Sequence, residues 1–278
     1  MEPVQFSIRT QDGLNLHAVE WSPQPEAKAV VCLIHGLGDH CGRYVHIAKA
    51  FNQAGYAVLA FDLRGHGKSD GPRGHAPSSK VFLYDIDGLL EEAEKRYPGK
   101  PCFLYGHSLG GTLVLYYTLS RDPQITGLIA TGAGLHSPLI EQKLKVAFAN
   151  AMATVLPTMA LPTGLNPELL SHDPQVVQDY LNDPLVHYKA TLAMARSTIR
   201  AIQWTMENAI GMKQPLLLMH GTADRLTYPS GSQEFARRVP GSCTLRLWDG
   251  LYHEIHNEPE KDQVITEMIR WMDSKLTR

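Results

Sequence analysis

The chain has 278 residues, of which 44% are hydrophobic and 19% charged, and its formal net charge is -2. This length sustains one large α/β domain, the near-neutral charge leaves no basic field for nucleic acid, and no apolar run reaches the roughly 18 residues of a membrane span. The first ten residues lack the apolar stretch of a secretory signal, and the four cysteines show no zinc-type pairing. We therefore expect a cytoplasmic protein, with peripheral membrane association left open.

The predicted elements begin with a β-hairpin and continue with six separate strands. Residues 5–10 and 14–21 flank Asp12 and Gly13, a pair typical of a tight hairpin turn. Continuous apolar runs follow at wide spacing, and such runs suit strands that are buried on both faces of a mostly parallel sheet. The six runs are residues 30–35, 57–62, 101–105, 127–131, 215–220 and 244–248.

Amphipathic patterns between these runs predict the helices. Residues 81–93 and 264–276 place apolar side chains at spacings of three and four, as the buried face of a helix requires. Alternation of strands and helices predicts a doubly wound α/β sheet with helices on both faces. We count eight strands, of which the first two form the antiparallel hairpin.

One long interval in the middle of the chain breaks this alternation, because it contains no convincing strand. Residues 138–156 and 191–209 have the pattern of amphipathic helices, and prolines between them separate short elements. The interval predicts a helical insertion above the sheet. We divide the chain into a core domain of residues 1–135 and 211–278 and a helical cap, or lid, of residues 136–210.

The pentapeptide GHSLG at residues 106–110 is the most informative motif. It follows the apolar run at 101–105 and opens a helix-like stretch at Leu109, which is the strand–turn–helix context of a nucleophile elbow. The turn is so tight that neighbouring side chains would collide, and glycines flank Ser108 for that reason. Ser108 is therefore the candidate nucleophile.

Two later strand ends supply the partners that a serine nucleophile needs. A serine hydroxyl attacks only when a base takes its proton and a third group orients that base. Asp224 and His253 come just after the last two predicted strands, and the chain order Ser108, Asp224, His253 is that of α/β-sheet serine hydrolases. We predict these three as the catalytic triad. His256, three residues on, competes as the base and is otherwise a candidate for the pocket wall.

An oxyanion hole needs two backbone N–H groups aimed at the developing negative charge. One is expected from Leu109, directly after the nucleophile, and the other from the loop HGLG at residues 35–38. Leu37 is the natural donor there, because glycines on both sides let the backbone approach a ligand closely.

Five motifs carry a resemblance to a known family. They are HGLGDH at 35–40, FDLRGHGKS at 61–69, GHSLG at 106–110, GTADR at 221–225 and YHE at 252–254. In these the chain resembles the monoglyceride lipase and lysophospholipase group of α/β-hydrolases, from about residue 5 to residue 276. The resemblance implies an α/β-hydrolase fold, an eight-stranded mostly parallel sheet with helices on both faces and a helical cap insertion.

The resemblance also implies a polar pocket for the substrate head group, which maps to Asp39, Arg43, His107, Tyr180 and His256. Asp39 stands where family members often carry glutamate, so its reach to a glycerol hydroxyl is shorter. The implied reaction releases a fatty acid and glycerol from monoacylglycerol through an acyl-serine intermediate, without cofactor or metal. Lysophospholipase and broad short-chain carboxylesterase activities remain as alternatives.

Apolar residues of the cap are candidates for an acyl channel. The helix that carries most of them could also dip into a membrane or micelle surface to collect a small lipid ester. The channel candidates are Leu144, Phe148, Met152, Val155, Leu156, Met159, Met194 and Ile202.

Three further classes of function compete with an esterase. Gly36 and Gly38 after a strand, with Asp62 ending the next, resemble a dinucleotide-binding fingerprint, but Cys41 stands where its third glycine is needed. HEIH at residues 253–256 is one residue shorter than a helical zinc motif. A ligand-binding protein on a hydrolase scaffold is the non-enzyme alternative, since fold alone never proves activity.

Overall fold

The computed structural model describes residues 3–239 and 241–276, and these contain one large sheet and one small one. The strands are β1 (Val4–Arg9), β2 (Asn15–Trp21), β3 (Ala29–Ile34), β4 (Tyr56–Phe61), β5 (Cys102–His107), β6 (Gly127–Thr131), β7 (Ala160–Pro162), β8 (Lys189–Thr191), β9 (Leu216–Gly221) and β10 (Cys243–Trp248). The large sheet has the order β1-β2-β4-β3-β5-β6-β9-β10. Strand β2 pairs antiparallel with β1 and β4, and the remaining pairs are parallel. The predicted eight-stranded, mostly parallel sheet is confirmed.

Helices cover both faces of this sheet, as the amphipathic patterns predict. The α-helices are α1 (Val45–Gln53), α2 (Ser79–Arg96), α3 (Leu109–Arg121), α4 (Pro138–Glu141), α5 (Lys143–Val155), α6 (Pro174–Asn182), α7 (Leu192–Glu207), α8 (Pro229–Arg238) and α9 (Lys261–Leu276). Apolar residues of α2, α3 and α8 pack on one face of the sheet, and those of α1 and α9 pack on the other.

The central strands are buried on both faces, and this explains their continuous apolar sequences. Along β3, the side chains of Val30, Cys32 and Ile34 join one core layer, while Val31 and Leu33 join the other. Each fully buried side chain of this kind contributes about 1.5–3 kcal/mol relative to an exposed one. The sheet is therefore a rigid platform, and the loops at the carboxyl ends of its strands are held in fixed positions.

The insertion between β6 and β9 differs from the sequence prediction in two ways. We expected no strand there, but β7 and β8 form a two-stranded antiparallel sheet in which Ala160 pairs with Thr191. Strands of three residues are too short to show a period of two, so periodicity could not reveal them. The helix predicted over residues 138–156 is two helices, because the backbone of Gln142 (ψ 62°) leaves the helical region.

Candidate active site

Ser108 lies on a sharp turn between β5 and α3, and its backbone is strained. Its φ of 56° is in the left-handed region, which a residue with a side chain rarely adopts. A Cβ atom on Gly106 would collide with the carbonyl of Gly110, and one on Gly110 would collide with the carbonyl of Ile34. The flanking glycines are needed because backbone from β3 and α3 passes this close to the turn.

The structure brings Ser108, His253 and Asp224 into one chain of hydrogen bonds. His253 Nε2 lies 2.9 Å from Ser108 Oγ, and His253 Nδ1 lies 2.7 Å from Asp224 Oδ2. His253 and Asp224 are each only 3% exposed. Because Nδ1 faces a carboxylate, it carries the ring proton, and Nε2 is left as the acceptor for the serine hydroxyl. The imidazole is thus oriented as a general base.

The electrostatic environment of the pair favours the ionised form of Asp224 and the protonation of His253. Burial would raise the pKa of Asp224, but the facing His253 ring and hydrogen bonds from His220 and His253 outweigh it and lower this pKa. Burial would lower the pKa of His253, but the Asp224 carboxylate outweighs it and raises that pKa above its ordinary value. Asp224 therefore stays ionised, and it stabilises the imidazolium that forms when His253 takes a proton.

The loop that carries Leu37 passes directly beside the nucleophile. A Cβ atom on Gly36 would lie 3.3 Å from the Cβ of Ser108. Among the described residues, the amide of Leu37 donates to no acceptor, and Leu109 is the first residue of α3, where a helix amide has no intrahelical partner. The two predicted oxyanion donors thus flank Ser108 with their N–H groups unused by the fold.

A buried ion-pair network forms one side of the site. Arg43 Nη1 and Nη2 donate to the two carboxylate oxygens of Glu254, each at 2.7 Å, and Nη1 also lies 3.2 Å from Asp39 Oδ1. Tyr44 donates its hydroxyl hydrogen to Asp39 Oδ2 at 2.9 Å. Burial would raise the pKa of Glu254, but the Arg43 guanidinium outweighs it and holds this pKa well below its ordinary range. Both acids therefore pair with the same arginine.

Three more predicted pocket residues lie against this network. The Tyr180 ring packs under the Arg43 guanidinium, 4.7 Å from centroid to Cζ. The His107 ring lies between those of His253 and His256, at centroid distances of 4.8 and 4.6 Å. Burial lowers the pKa of His256 to about 3 and lowers that of His107 well below its usual range. Both rings are therefore neutral at physiological pH.

The loop that carries His253 is held by residues of the insertion. The amide of Glu254 donates to the carbonyl of Leu170 at 2.8 Å. The fully buried carboxylate of Glu258 accepts from the amides of Tyr252, at 2.6 Å, and His172, at 2.9 Å. On the opposite side, the amide of residue 187 donates to the carbonyl of residue 38 at 3.0 Å. The insertion is thus bonded to both loops that flank the nucleophile.

Sequence reasoning missed two contributors to the site, Glu254 and His220. Glu254 stands within the YHE and HEIH motifs, but neither motif indicates its partner, because Arg43 is far away in the chain. His220 is the penultimate residue of β9, and its Nε2 lies 3.1 Å from Asp224 Oδ2. Its position at a strand end, four residues before Asp224, is the one signal that could have indicated it.

The residues with metal-ligand character are engaged elsewhere. Within the described ranges, His17, Cys41 and Asp62 bring one ligand atom each to within 4.8 Å of one another. However, the Asp62 carboxylate already accepts hydrogen bonds from the amides of Cys41 and Lys68, both at 2.8 Å, and so holds two loops together.

Comparison with known proteins gives several relatives. The chain is 38% identical over 278 residues to an uncharacterized abhydrolase domain-containing protein of Dictyostelium discoideum, covering 97% of this chain but 29% of that protein. It is 34% identical over 274 residues to a monoacylglycerol lipase of Mycolicibacterium smegmatis, covering 98% of each. The crystal structure of Paleococcus ferrophilus monoacylglycerol lipase matches with a TM-score of 0.86 and 35% identity, covering 94% of this chain and 99% of that one.

The resemblance predicted from the five motifs is confirmed by these matches. The family described as "Serine aminopeptidase, S33" matches residues 25–260. That match spans most of the chain, including the loops that carry Leu37, Ser108, Asp224 and His253. The chain therefore belongs to this family of α/β-hydrolases and is a monoglyceride lipase-like serine hydrolase.

Proposed function

We propose that this chain hydrolyses monoacylglycerol at the site around Ser108 and releases a fatty acid and glycerol. The observation that carries the proposal is the unbroken hydrogen-bond chain from Ser108 Oγ through His253 to Asp224, with distances of 2.9 and 2.7 Å. Nucleophile, base and orienting acid in this arrangement are the components of acyl transfer.

The first half of the reaction forms an acyl-serine. Ser108 Oγ attacks the ester carbonyl carbon while its proton passes to His253 Nε2. The amides of Leu37 and Leu109 stabilise the negative charge that develops on the carbonyl oxygen. When the C–O bond of the ester breaks, His253 returns the proton to the departing glycerol oxygen, and Asp224 keeps the ring oriented throughout.

The second half repeats these roles with water as the nucleophile. After glycerol leaves, His253 takes a proton from a water molecule, whose oxygen attacks the acyl carbon. The bond to Ser108 Oγ then breaks, and His253 returns the proton to that oxygen. The free fatty acid departs, and the enzyme is restored without a cofactor.

The hydrogen bonds of the two acids favour an uncharged head group over a peptide N-terminus. An aminopeptidase must bind a free α-amino group, which requires a carboxylate oxygen that no other donor occupies. Here each carboxylate oxygen of Asp39 and Glu254 already accepts a hydrogen bond, and both side chains are buried. A glycerol hydroxyl needs only polar donors and acceptors, which Asp39, Tyr180 and His256 can supply.

We further propose that residues 136–210 act as a cap over the core formed by residues 1–135 and 211–278. The hydrogen bonds from this segment to the loops around residues 38 and 254 support a roof over the site. Met194 and Ile202 are buried, as channel-lining residues would be. The side chain of Phe148 lies outside the described part of the chain.

Several other channel candidates face outward instead. Leu144 and Val155 are 88% and 74% exposed, and Leu156 and Met159 are partly exposed with them. Exposed apolar side chains along α5 and the segment after it suit contact with a lipid surface, and we propose that the cap docks transiently on a membrane or micelle. None of the described helices has both the length and the apolar character needed to cross a bilayer.

One kinetic comparison tests the catalytic proposal. We would measure kcat/KM for monoacylglycerols, a triacylglycerol, a lysophospholipid and a short nitrophenyl ester, with Ser108→Ala as the reference. We expect the highest value for monoacylglycerol, and a fall in kcat on the order of 10⁴- to 10⁶-fold for Ser108→Ala with an unchanged fold. Full activity of Ser108→Ala would refute the mechanism, and a preference for lysophospholipid would refute the substrate.

A second experiment tests the surface contact. The double variant Leu144→Ser, Val155→Ser should bind phospholipid vesicles more weakly while hydrolysing a soluble nitrophenyl ester normally. Ile210→Ser is the matched control, because Ile210 is also 74% exposed but lies at the end of the insertion beyond α7. Equal loss of vesicle binding in both variants would argue against a specific docking face.

A further inference from the structure

A buried histidine outside the predicted triad touches the triad acid. His220 is the penultimate residue of β9 and is completely buried. Its strand lies between β6 and β10 and is paired with both, so its position is fixed by the sheet. Asp224, in contrast, lies in the turn that follows. The side chain of His220, on a rigid strand, thus contacts the carboxylate of Asp224, which lies in a less constrained turn.

The partners of His220 show that its Nε2 carries a hydrogen. Nε2 lies 3.0 Å from the carbonyl oxygen of Thr227 and 3.1 Å from Oδ2 of Asp224, and both atoms can only accept. Nε2 must therefore carry a hydrogen. Nδ1 lies 2.8 Å from Oγ of the buried Ser232, whose hydroxyl can donate to it. Both ring nitrogens therefore have hydrogen-bond partners.

Thr227 is a second donor to the same carboxylate oxygen. Its Oγ1 lies 2.9 Å from Asp224 Oδ2, but it also lies 3.0 Å from the carbonyl oxygen of Gly132. A hydroxyl has one hydrogen, so the two acceptors share it. The N–H of His220 is shared in the same way between Asp224 Oδ2 and the carbonyl oxygen of Thr227, so two shared donors hold this carboxylate oxygen.

We propose that His220 is a positioning residue of the reaction, whose Nε2–H holds Oδ2 of Asp224 where that oxygen meets Nδ1 of His253. The inference rests on the proposed function of Ser108, Asp224 and His253. The other carboxylate oxygen is fixed by the amides of Leu226 and Thr227. His220 and Thr227 together therefore limit the rotation of the carboxylate about its own axis. Without His220, Oδ2 keeps only the shared hydroxyl of Thr227 and is held less firmly against His253.

Substitution of His220 by glutamine or by asparagine distinguishes the loss of its hydrogen bond to Asp224 from a loss of packing. In His220→Gln the side-chain amide nitrogen falls near the place of Nε2 and can still donate to Asp224. In His220→Asn it falls near the place of Nδ1 and cannot. We expect His220→Asn to lose kcat by roughly 10- to 100-fold, the range for a lost hydrogen bond to a charged group, with KM nearly unchanged. His220→Gln should retain kcat within about threefold.

Controls make the outcome decisive. Met219→Leu, at the neighbouring position on β9 and in the core layer of α1 and α9, should leave kcat unchanged. Urea unfolding identifies variants that do not fold, and His220→Met, with the length of glutamine but no donor, then replaces His220→Asn. Wild-type kcat in the folded donor-free variant, or equal losses in it and in His220→Gln, would overturn the inference. If Ser108→Ala is active, the proposed function fails instead.

Discussion

Replacing Glu254 with alanine would remove the main partner of a buried arginine. The side chains of Glu254 and Arg43 are only 3% and 11% exposed, and two hydrogen bonds of 2.7 Å join them. Breaking a buried ion pair typically costs about 3–5 kcal/mol, because the remaining charge is left without compensation. Asp39, at 3.2 Å, still neutralises part of the Arg43 charge. We therefore expect a loss in the free energy of unfolding near the lower limit, about 3 kcal/mol.

Urea unfolding at neutral pH would measure this loss, and its pH dependence provides a second check. Burial would raise the pKa of Glu254, but Arg43 outweighs burial and holds this pKa below its ordinary value of 4.5. A carboxyl with a depressed pKa in the folded state contributes stability above its unfolded pKa, and the contribution is lost as the pH falls toward the folded value. The difference between wild type and Glu254→Gln should therefore shrink below pH 4.5.

Two comparisons show whether the loss comes from the pair. In a double-mutant cycle, Arg43→Met combined with Glu254→Ala should cost clearly less than the sum of the single changes. Glu234→Gln serves as the matched control, because Glu234 also accepts from two arginines but lies on the surface. It should leave the unfolding midpoint nearly unchanged. A loss below about 1 kcal/mol for Glu254→Ala, or no coupling in the cycle, would refute the reasoning.

Three other predictions concern activity. Asp39→Ala should raise KM for monoacylglycerol more than for a nitrophenyl ester, and equal effects on both would show that the head-group pocket lies elsewhere. The Asp224 carboxylate outweighs burial and raises the pKa of His253 above its ordinary value of 6.5. The kcat/KM for a soluble ester should therefore fall as the pH is lowered, with an apparent pKa above 6.5. A midpoint well below this value would contradict the assignment of the base. Gly38→Ala should lower both the melting temperature and kcat, because φ is 75° there and the new methyl group would meet the carbonyl of His187; normal calorimetric and kinetic values would contradict this.

The fold could be predicted because a local sequence pattern indicates each strand and helix of the core. Buried strands are continuous apolar runs, and the groups that matter for chemistry follow them directly, so Ser108, Asp224 and His253 could be chosen from strand ends alone. Parallel strands place their carboxyl ends at one edge of a sheet, and this explains why residues so distant in sequence meet in the structure. The arginine that binds Glu254 had no such signal.

What the sequence could not reveal depends on contacts between distant segments. The pairing of β7 with β8 involves three residues on each side, which is too few for a periodic pattern. The Arg43–Glu254 pair joins residues separated by 211 positions, and many other acids were equally plausible partners. His220 looked like an ordinary strand residue, since the direction of its ring is set by Thr227 and Ser232 in the next turn and helix.

The hydrogen bonds between the insertion and the loops beside Ser108 limit how such enzymes can be recombined. An exchange of this insertion between two relatives would also exchange the carbonyl that accepts from the amide of Glu254 and the amide that donates to the carbonyl of residue 38. A chimera joined at the borders of residues 136–210 would thus combine the loops of His253 and Leu37 from one relative with hydrogen-bond partners from the other. Grafts that retain residues 170–172 and 187 of the host avoid this, and other changes to the insertion are best placed between these segments.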